Sequence, residues 1–197
     1  MSMNRQIVSI GIAGIIIGFI LGFFSARIIY EPRLEEGQRV AESLPGDHPG
    51  TEVMEKVHRL TLKAEEEPEN FEVRVELGNT FYDMGRYDVS VRWYREVLDL
   101  DPDQALVSTD LGTSLLFLGQ TEEAITQYRH SLSIKPGHPQ TLQNLGVAFY
   151  SLERYQEAID IWKQLLVESP DYDEAGKIKE QIAAAEEKIN SREGNSR

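Results

Sequence analysis

From Val53 to Ile189 apolar side chains recur at helical spacing, and a proline interrupts the pattern every 34 residues, at Pro68, Pro102, Pro136 and Pro170. Such a period is the mark of stacked helical hairpins. Within each interval the apolar periodicity predicts two helices. They are Phe71–Met84 and Tyr87–Leu100, Ala105–Leu118 and Thr121–Ile134, and Pro139–Leu152 and Tyr155–Glu168. Ahead of them, Val53, Val57, Leu60 and Ala64 predict a helix over 51–67 that stops in phase with Pro68, as the second half of a unit lacking its first. Behind them, Ala175, Ile178, Ile182, Ala185 and Ile189 form one apolar stripe, predicting a helix over 173–190 with one wet face, as a terminal cap needs. The polar stretch 191–197 is expected to be a disordered tail.

Aligned on the prolines, the three units share their key positions. The first has Leu77-Gly78, Phe81, Gly85, Tyr87 and Tyr94; the second Leu111-Gly112, Leu115, Gly119, Ala124 and Tyr128; the third Leu145-Gly146, Phe149, Tyr155, Ala158 and Trp162. A glycine beside a large apolar residue lets a neighbouring helix approach, and a small-then-large pair gives the second helix a face to meet it. Each proline ends the second helix, lacking a donor and excluding αR from the residue before it. Gly85 and Gly119 suit the turn within a unit, and Glu153-Arg154 stands at that place in the third. Thr121-Glu122-Glu123 reads as a capped helix start. Over Phe71–Pro170 the chain resembles the tetratricopeptide repeat family. The resemblance implies an all-α fold, a right-handed α-solenoid of helix-turn-helix repeats with full units over 71–104, 105–138 and 139–172. Arg74, Ser108 and Leu142 replace the family's early tryptophan, and Ser90 its alanine in the first unit.

The N-terminal thirty residues have a different character. Gln6–Ala26 carries no charge and as a helix would span roughly 30 Å, the thickness of a bilayer core. Arg27 can snorkel and Tyr30 suits the headgroup level, so a single transmembrane helix is expected over about 7–29. A cleaved signal peptide fits less well, because Phe23 and Phe24 occupy the position where a small residue is required. Gly14, Gly18 and Gly22 recur every fourth residue, which permits close helix pairing; glycine is also common in membrane helices, and both readings stand. The polar segment 31–50, with Pro32, Pro45, Gly46 and Pro49, reads as a stalk. Lysine and arginine counts slightly favour repeats on the cytoplasmic side. The resemblance to bacterial anchored repeat proteins instead implies the bacterial inner membrane, with the repeats on its periplasmic side.

Charge and residue usage then narrow the chemistry. The formal charge is −13, and beyond residue 30 the chain holds 18 basic against 33 acidic residues. Such a surface repels nucleic acid and suits a neutral or basic protein partner. Cysteine is absent, and no metal-ligand spacing, phosphate loop or nucleophile elbow is present. His48 and His138 precede prolines, and His58 and His130 stand alone on helices. No catalytic, cofactor or metal site is predicted, and the protein is not expected to be an enzyme.

The resemblance implies a binding groove lined by the first helix of each unit. Its positions here include Val75, Asn79 and Tyr82; Leu106, Thr109, Thr113 and Phe117; and Gln140, Gln143, Asn144, Val147 and Tyr150. Glu72, Glu76, Asp83, Asp110, Leu116 and Ser151 neighbour them. Amides and apolar anchors of this kind suit a peptide backbone or an amphipathic helix. Burial is the expectation for Leu116, and groove exposure for Tyr82 and Tyr150. Relatives that grip a chaperone's C-terminal carboxylate place cations in this groove. Here Val75, Gln140 and Asn144 fill the basic positions and Asp110 an amide position, which argues for an uncharged or basic segment instead. The implied role is a membrane-anchored scaffold or adaptor in envelope protein assembly. Two alternatives are an apocytochrome-binding factor in cytochrome c biogenesis and a homo-oligomeric membrane organiser.

Overall fold

The computed structural model describes residues 49–195, with side chains over 51–192. The expected membrane helix, its Gly14, Gly18 and Gly22, and nearly all of the stalk lie outside the described residues. Among the described residues eight helices follow one another. They are α1 (Pro49–Glu66), α2 (Phe71–Asp83), α3 (Tyr87–Leu100), α4 (Ala105–Phe117), α5 (Thr121–Ile134), α6 (Pro139–Ser151), α7 (Tyr155–Glu168) and α8 (Ala175–Asn195). None of these helices is long and apolar enough to cross a membrane. The chain divides into two compact units after Arg59, inside α1. On α1, Met54 and Val57 are buried before that division, and Leu60 and Ala64 after it; Val53, expected in the stripe, is only half-buried.

From α2 to α8 each helix packs on the next. The helical hairpins close through one repeated turn. Gly85 and Gly119 take positive φ (+71° and +75°), which glycine adopts without a Cβ penalty. The N–H three residues past each helix then bonds back across the turn, Arg86 to the Phe81 carbonyl at 2.8 Å and Gln120 to that of Leu115 at 2.9 Å. In the third hairpin Glu153 adopts the same conformation (φ 60°) without being glycine, and Arg154 bonds the Phe149 carbonyl at 3.0 Å. The Glu153 carboxylate is ion-paired with Arg192 of α8. These turns end α2, α4 and α6 one residue before the apolar pattern does, at Asp83, Phe117 and Ser151. Helix α5 starts at Thr121 as expected, but its cap differs from the expected one. Gln120 is the N-cap, with no side-chain cap bond, so Thr121 lies inside the helix and its hydroxyl is not the cap.

Inside each hairpin the glycine-to-ring approach is the central contact. A Cβ on Gly78 would stand 2.4 Å from the Tyr94 ring, and one on Gly112 2.7 Å from that of Tyr128. Leu77, Leu111, Leu115, Leu142, Leu145, Ala124 and Ala158 are almost wholly buried. Where the family's tryptophan is missing, three different solutions are found. The Arg74 guanidinium bonds the Asn70 carbonyl at 3.1 Å and reaches Glu96 at 3.5 Å; Ser108 is fully buried with an unpartnered hydroxyl; Leu142 fills its site. Ile178, Ile182 and Ala185 of α8 are buried, and Ile189 packs on the same core. Helix α8 continues through Ser191 to Asn195, past the point where the tail was expected to lose structure. Arg192 explains the extension, since its guanidinium lies 4.8 Å over the Tyr155 ring as well as pairing with Glu153.

Candidate partner-binding groove

Three helices, α2, α4 and α6, carry the expected groove positions, and the structure sorts them by what each side chain already touches. Leu106 and Phe117 are the most open of the large apolar residues among them, at 54 % and 58 % exposure. Asn79 and Gln140 are exposed; Val75, Tyr82, Thr113, Gln143, Asn144, Val147 and Tyr150 are half-buried. Leu116 packs partly buried against the core. Thr109 does not belong to an open surface. It is 1 % exposed, and its hydroxyl sits 2.7 Å from that of Thr141 and 2.8 Å from that of Ser131. The helical face that would open Thr109 to a ligand instead meets the following repeat.

A polar seam runs along the groove floor, built from residues of both helices in a hairpin. Tyr94 donates its phenol hydrogen to the Asn79 side-chain oxygen at 2.6 Å. Tyr128, placed alike in the next unit, donates to the Thr113 hydroxyl at 3.2 Å, and the Asn144 amide donates to the same oxygen at 3.1 Å. In the third unit the Trp162 indole donates to the Gln143 carbonyl at 3.3 Å, while the Tyr172 phenol donates to the Gln143 side chain at 2.6 Å. Sequence reasoning placed Tyr94 and Tyr128 only in the core and did not foresee their polar ends. The available signal was the constant offset of fifteen positions from Asn79 and from Thr113.

Aromatic rings stand at both ends of this floor. Phe117 stacks on Tyr87 with centroids 4.6 Å apart, and Tyr82 meets both rings edge-on at 5.3 and 6.0 Å. Tyr150 contacts Tyr155 and Trp162 at 5.1 and 6.0 Å. Beside it, Val147, Tyr150, Trp162, Gln181 and Ala184 line a cavity of about 210 Å³. Between the aromatic groups lies Asp110. Burial pushes its carboxyl up to about 6. Its negative charge in turn helps raise the Tyr82 and Tyr94 phenols, on which burial acts first, and adds to the burial effect on Tyr128. Among the described residues no group of three potential metal ligands converges.

Tetratricopeptide repeat models match residues 69–137 and 109–174, together more than half of the chain. The chain belongs to the tetratricopeptide repeat family. No curated protein matches it by sequence. Among solved structures, the repeat array resembles the MamA protein (18 % identity, TM-score 0.64, 70 % of this chain and 74 % of that one). It also resembles the first repeat domain of Spaghetti (RPAP3) bound to the HSP90 peptide SRMEEVD (22 % identity, TM-score 0.55, 58 % and 91 %). A third likeness is the TPR2B domain of yeast Sti1 in a pHsp70 complex (15 % identity, TM-score 0.54, 67 % and 97 %). At these identities the likeness concerns the fold. The tetratricopeptide repeat array is a protein-interaction fold, and its groove is the place to seek a ligand.

Proposed function

We propose that the protein is a membrane-anchored, non-enzymatic scaffold that holds a segment of a protein partner along the groove of α2, α4 and α6. The observation that carries this reading is the outward face of α4, where Leu106 and Phe117 keep more than half their surface in water. Apolar side chains kept open on one helix face three turns apart are anchors for a partner, since their exposure does nothing for the folded chain. The anchor rests on the uncharged run Gln6–Ala26. Periplasmic placement at a bacterial inner membrane, and a role in envelope assembly that includes handling of apocytochromes, rest on the resemblance to bacterial anchored repeat proteins. The two repeat domains with HSP90 and pHsp70 ligands supply a precedent for peptide capture on this fold.

The test uses a photo-crosslinking residue at Phe117 or Tyr150, and at Val167 as a comparison, in the full chain in native membranes. Adducts should form at the two groove positions and vanish when Tyr82 and Tyr150 are replaced by alanine, with the helical signal retained; for that step the probe stays at Phe117. Equal yields at Val167, or an undiminished yield in the double variant, would overturn the groove assignment. A second reading rests on Gly14, Gly18 and Gly22, whose spacing suits pairing of membrane helices into a homo-oligomer. Replacing Gly14 and Gly18 with leucine should then reduce the size of the detergent-solubilised particle.

A further inference from the structure

The face of α4 carries Leu106, Asp110, Thr113 and Phe117 at successive turns, so an acid stands between two open apolar anchors. Asp110 is half-buried, and among the described residues no cation or hydrogen-bond donor reaches its carboxylate. The two buried phenols that feel its charge are already committed, Tyr94 to Asn79 and Tyr128 to Thr113. Nor can the groove-lining helices supply a counter-charge. Neither α4 nor α6 contains a lysine or arginine, and Arg74 of α2 is taken up by the Asn70 and Ala64 carbonyls and by Glu96. A carboxylate withdrawn from water and left unpaired is unfavourable, and an incoming cation removes that penalty.

A second polar atom points the same way. The Gln181 side-chain oxygen is buried without a partner, in the cavity beside Val147 and Tyr150 at the α6–α8 end of the groove. As placed, it is an acceptor too, so both unmatched polar groups call for donors. At the α2 end of the array, the exposed residues Glu72, Glu76 and Asp83 add negative charge.

We propose that the groove selects a cationic protein segment, pairing a lysine or arginine with Asp110 and seating apolar side chains on Leu106 and Phe117. This rests on the groove reading given above and adds the chemistry of the ligand to it. The helix rise sets the ligand's spacing. Leu106 and Phe117 lie about 6 and about 10 Å along α4 from Asp110. An extended chain covers those distances in about two and about three residues. Extended side chains share a face only at every second residue, so the longer span rounds up to four, and the favoured motif has an apolar residue two positions to one side of the cation and another four positions to the other, in either chain direction.

The experiment measures binding of short synthetic peptides to the full chain in detergent. One peptide places a lysine between leucine and phenylalanine at that spacing, and its companions replace the lysine with norleucine or glutamate. The lysine peptide should bind roughly tenfold or more tighter than either companion. Asp110→Asn, which keeps the side-chain shape, should erase that preference, and Asp110→Lys should transfer it to the glutamate peptide. Replacing Tyr82 and Tyr150 with alanine should weaken every peptide. If lysine and norleucine peptides bind alike and both need the tyrosines, the groove remains and its cation selectivity is overturned. If none binds, the groove reading fails with it. Crosslinks from Phe117 to residues 1–48 of the same chain or to a second copy would overturn the proposal by naming another occupant.

Discussion

The indole of Trp162 lies so close to the backbone of Gly146 that a Cβ there would stand 2.1 Å from Nε1 and 2.4 Å from Cδ1. The ring has nowhere to move, being 1 % exposed and directing its N–H at the Gln143 carbonyl. Gly146→Ala should therefore destabilise the array by about 1–3 kcal/mol through overpacking. Gly176 has nothing within 4 Å of its missing Cβ, so Gly176→Ala should be neutral or stabilising by up to about 1 kcal/mol. Urea melts of the two variants provide the check; coincident midpoints would mean that α6 and α7 part to admit a methyl group.

Two buried serines should respond in opposite directions. The Ser108 hydroxyl is fully buried and unpartnered, so Ser108→Ala should stabilise by about 1 kcal/mol. Ser114 donates to the Asp110 carbonyl at 3.0 Å and lies 3.1 Å from the Ser90 hydroxyl. Ser114→Ala should cost about 1 kcal/mol. Thermal melts decide, and a fall in both variants would indicate that a buried water satisfies Ser108.

Asp110 sets a pH dependence of known sign. Its carboxyl titrates at about 6 in the folded chain against 3.8 ordinarily, so the folded state holds the proton more tightly. That contribution is fully present below 3.8 and is lost as pH rises through about 6. Asp110→Asn should thus exceed the parent in stability at neutral pH, by on the order of 2 kcal/mol, and converge with it below about pH 4. Melting temperatures across that range would show it, and a constant offset would refute it.

His138 should act in the opposite sense. Burial, and then the charge of Lys135, hold its imidazole below the usual 6.5, and its Nδ1 lies 2.8 Å from the Thr141 hydroxyl. The unfolded chain accepts a proton that the folded chain resists. The stabilising contribution is therefore present above 6.5 and is lost as pH falls through the folded value. His138→Gln should flatten this acid limb of the melting curve, and an unchanged limb would assign it to other groups.

The regular part of the architecture was legible because it rests on a repeat: Leu77, Leu111 and Leu145 with their glycines place three hairpins without any long-range information. What escaped was set by three-dimensional encounters. Periodicity puts Thr109 and Thr113 on neighbouring turns of α4, yet only the next repeat's arrival buries Thr109 against Thr141 and leaves Thr113 half-open. Tyr94 and Tyr128 read as core because their rings are core; the polar ends emerge where the chain crosses to α2 and α4. Asp110 was legible as a departure from the carboxylate-binding pattern, but its isolation depends on which neighbours fail to reach it. The extension of α8 needed Arg192 to find Tyr155, a partner 37 positions earlier.

Helices α2 to α8 touch chiefly their immediate neighbours, and the further contact between α4 and α6 is slight. The array accordingly has ends but no centre, and a lesion is felt little beyond the adjoining hairpin. A defect at Gly112 would sever the stack into two shorter pieces instead of dissolving it. A segment lying across α2, α4 and α6 would bridge joints that the chain itself leaves independent. Such a ligand works as a splint, turning a row of separately yielding hairpins into a single unit that fails all at once.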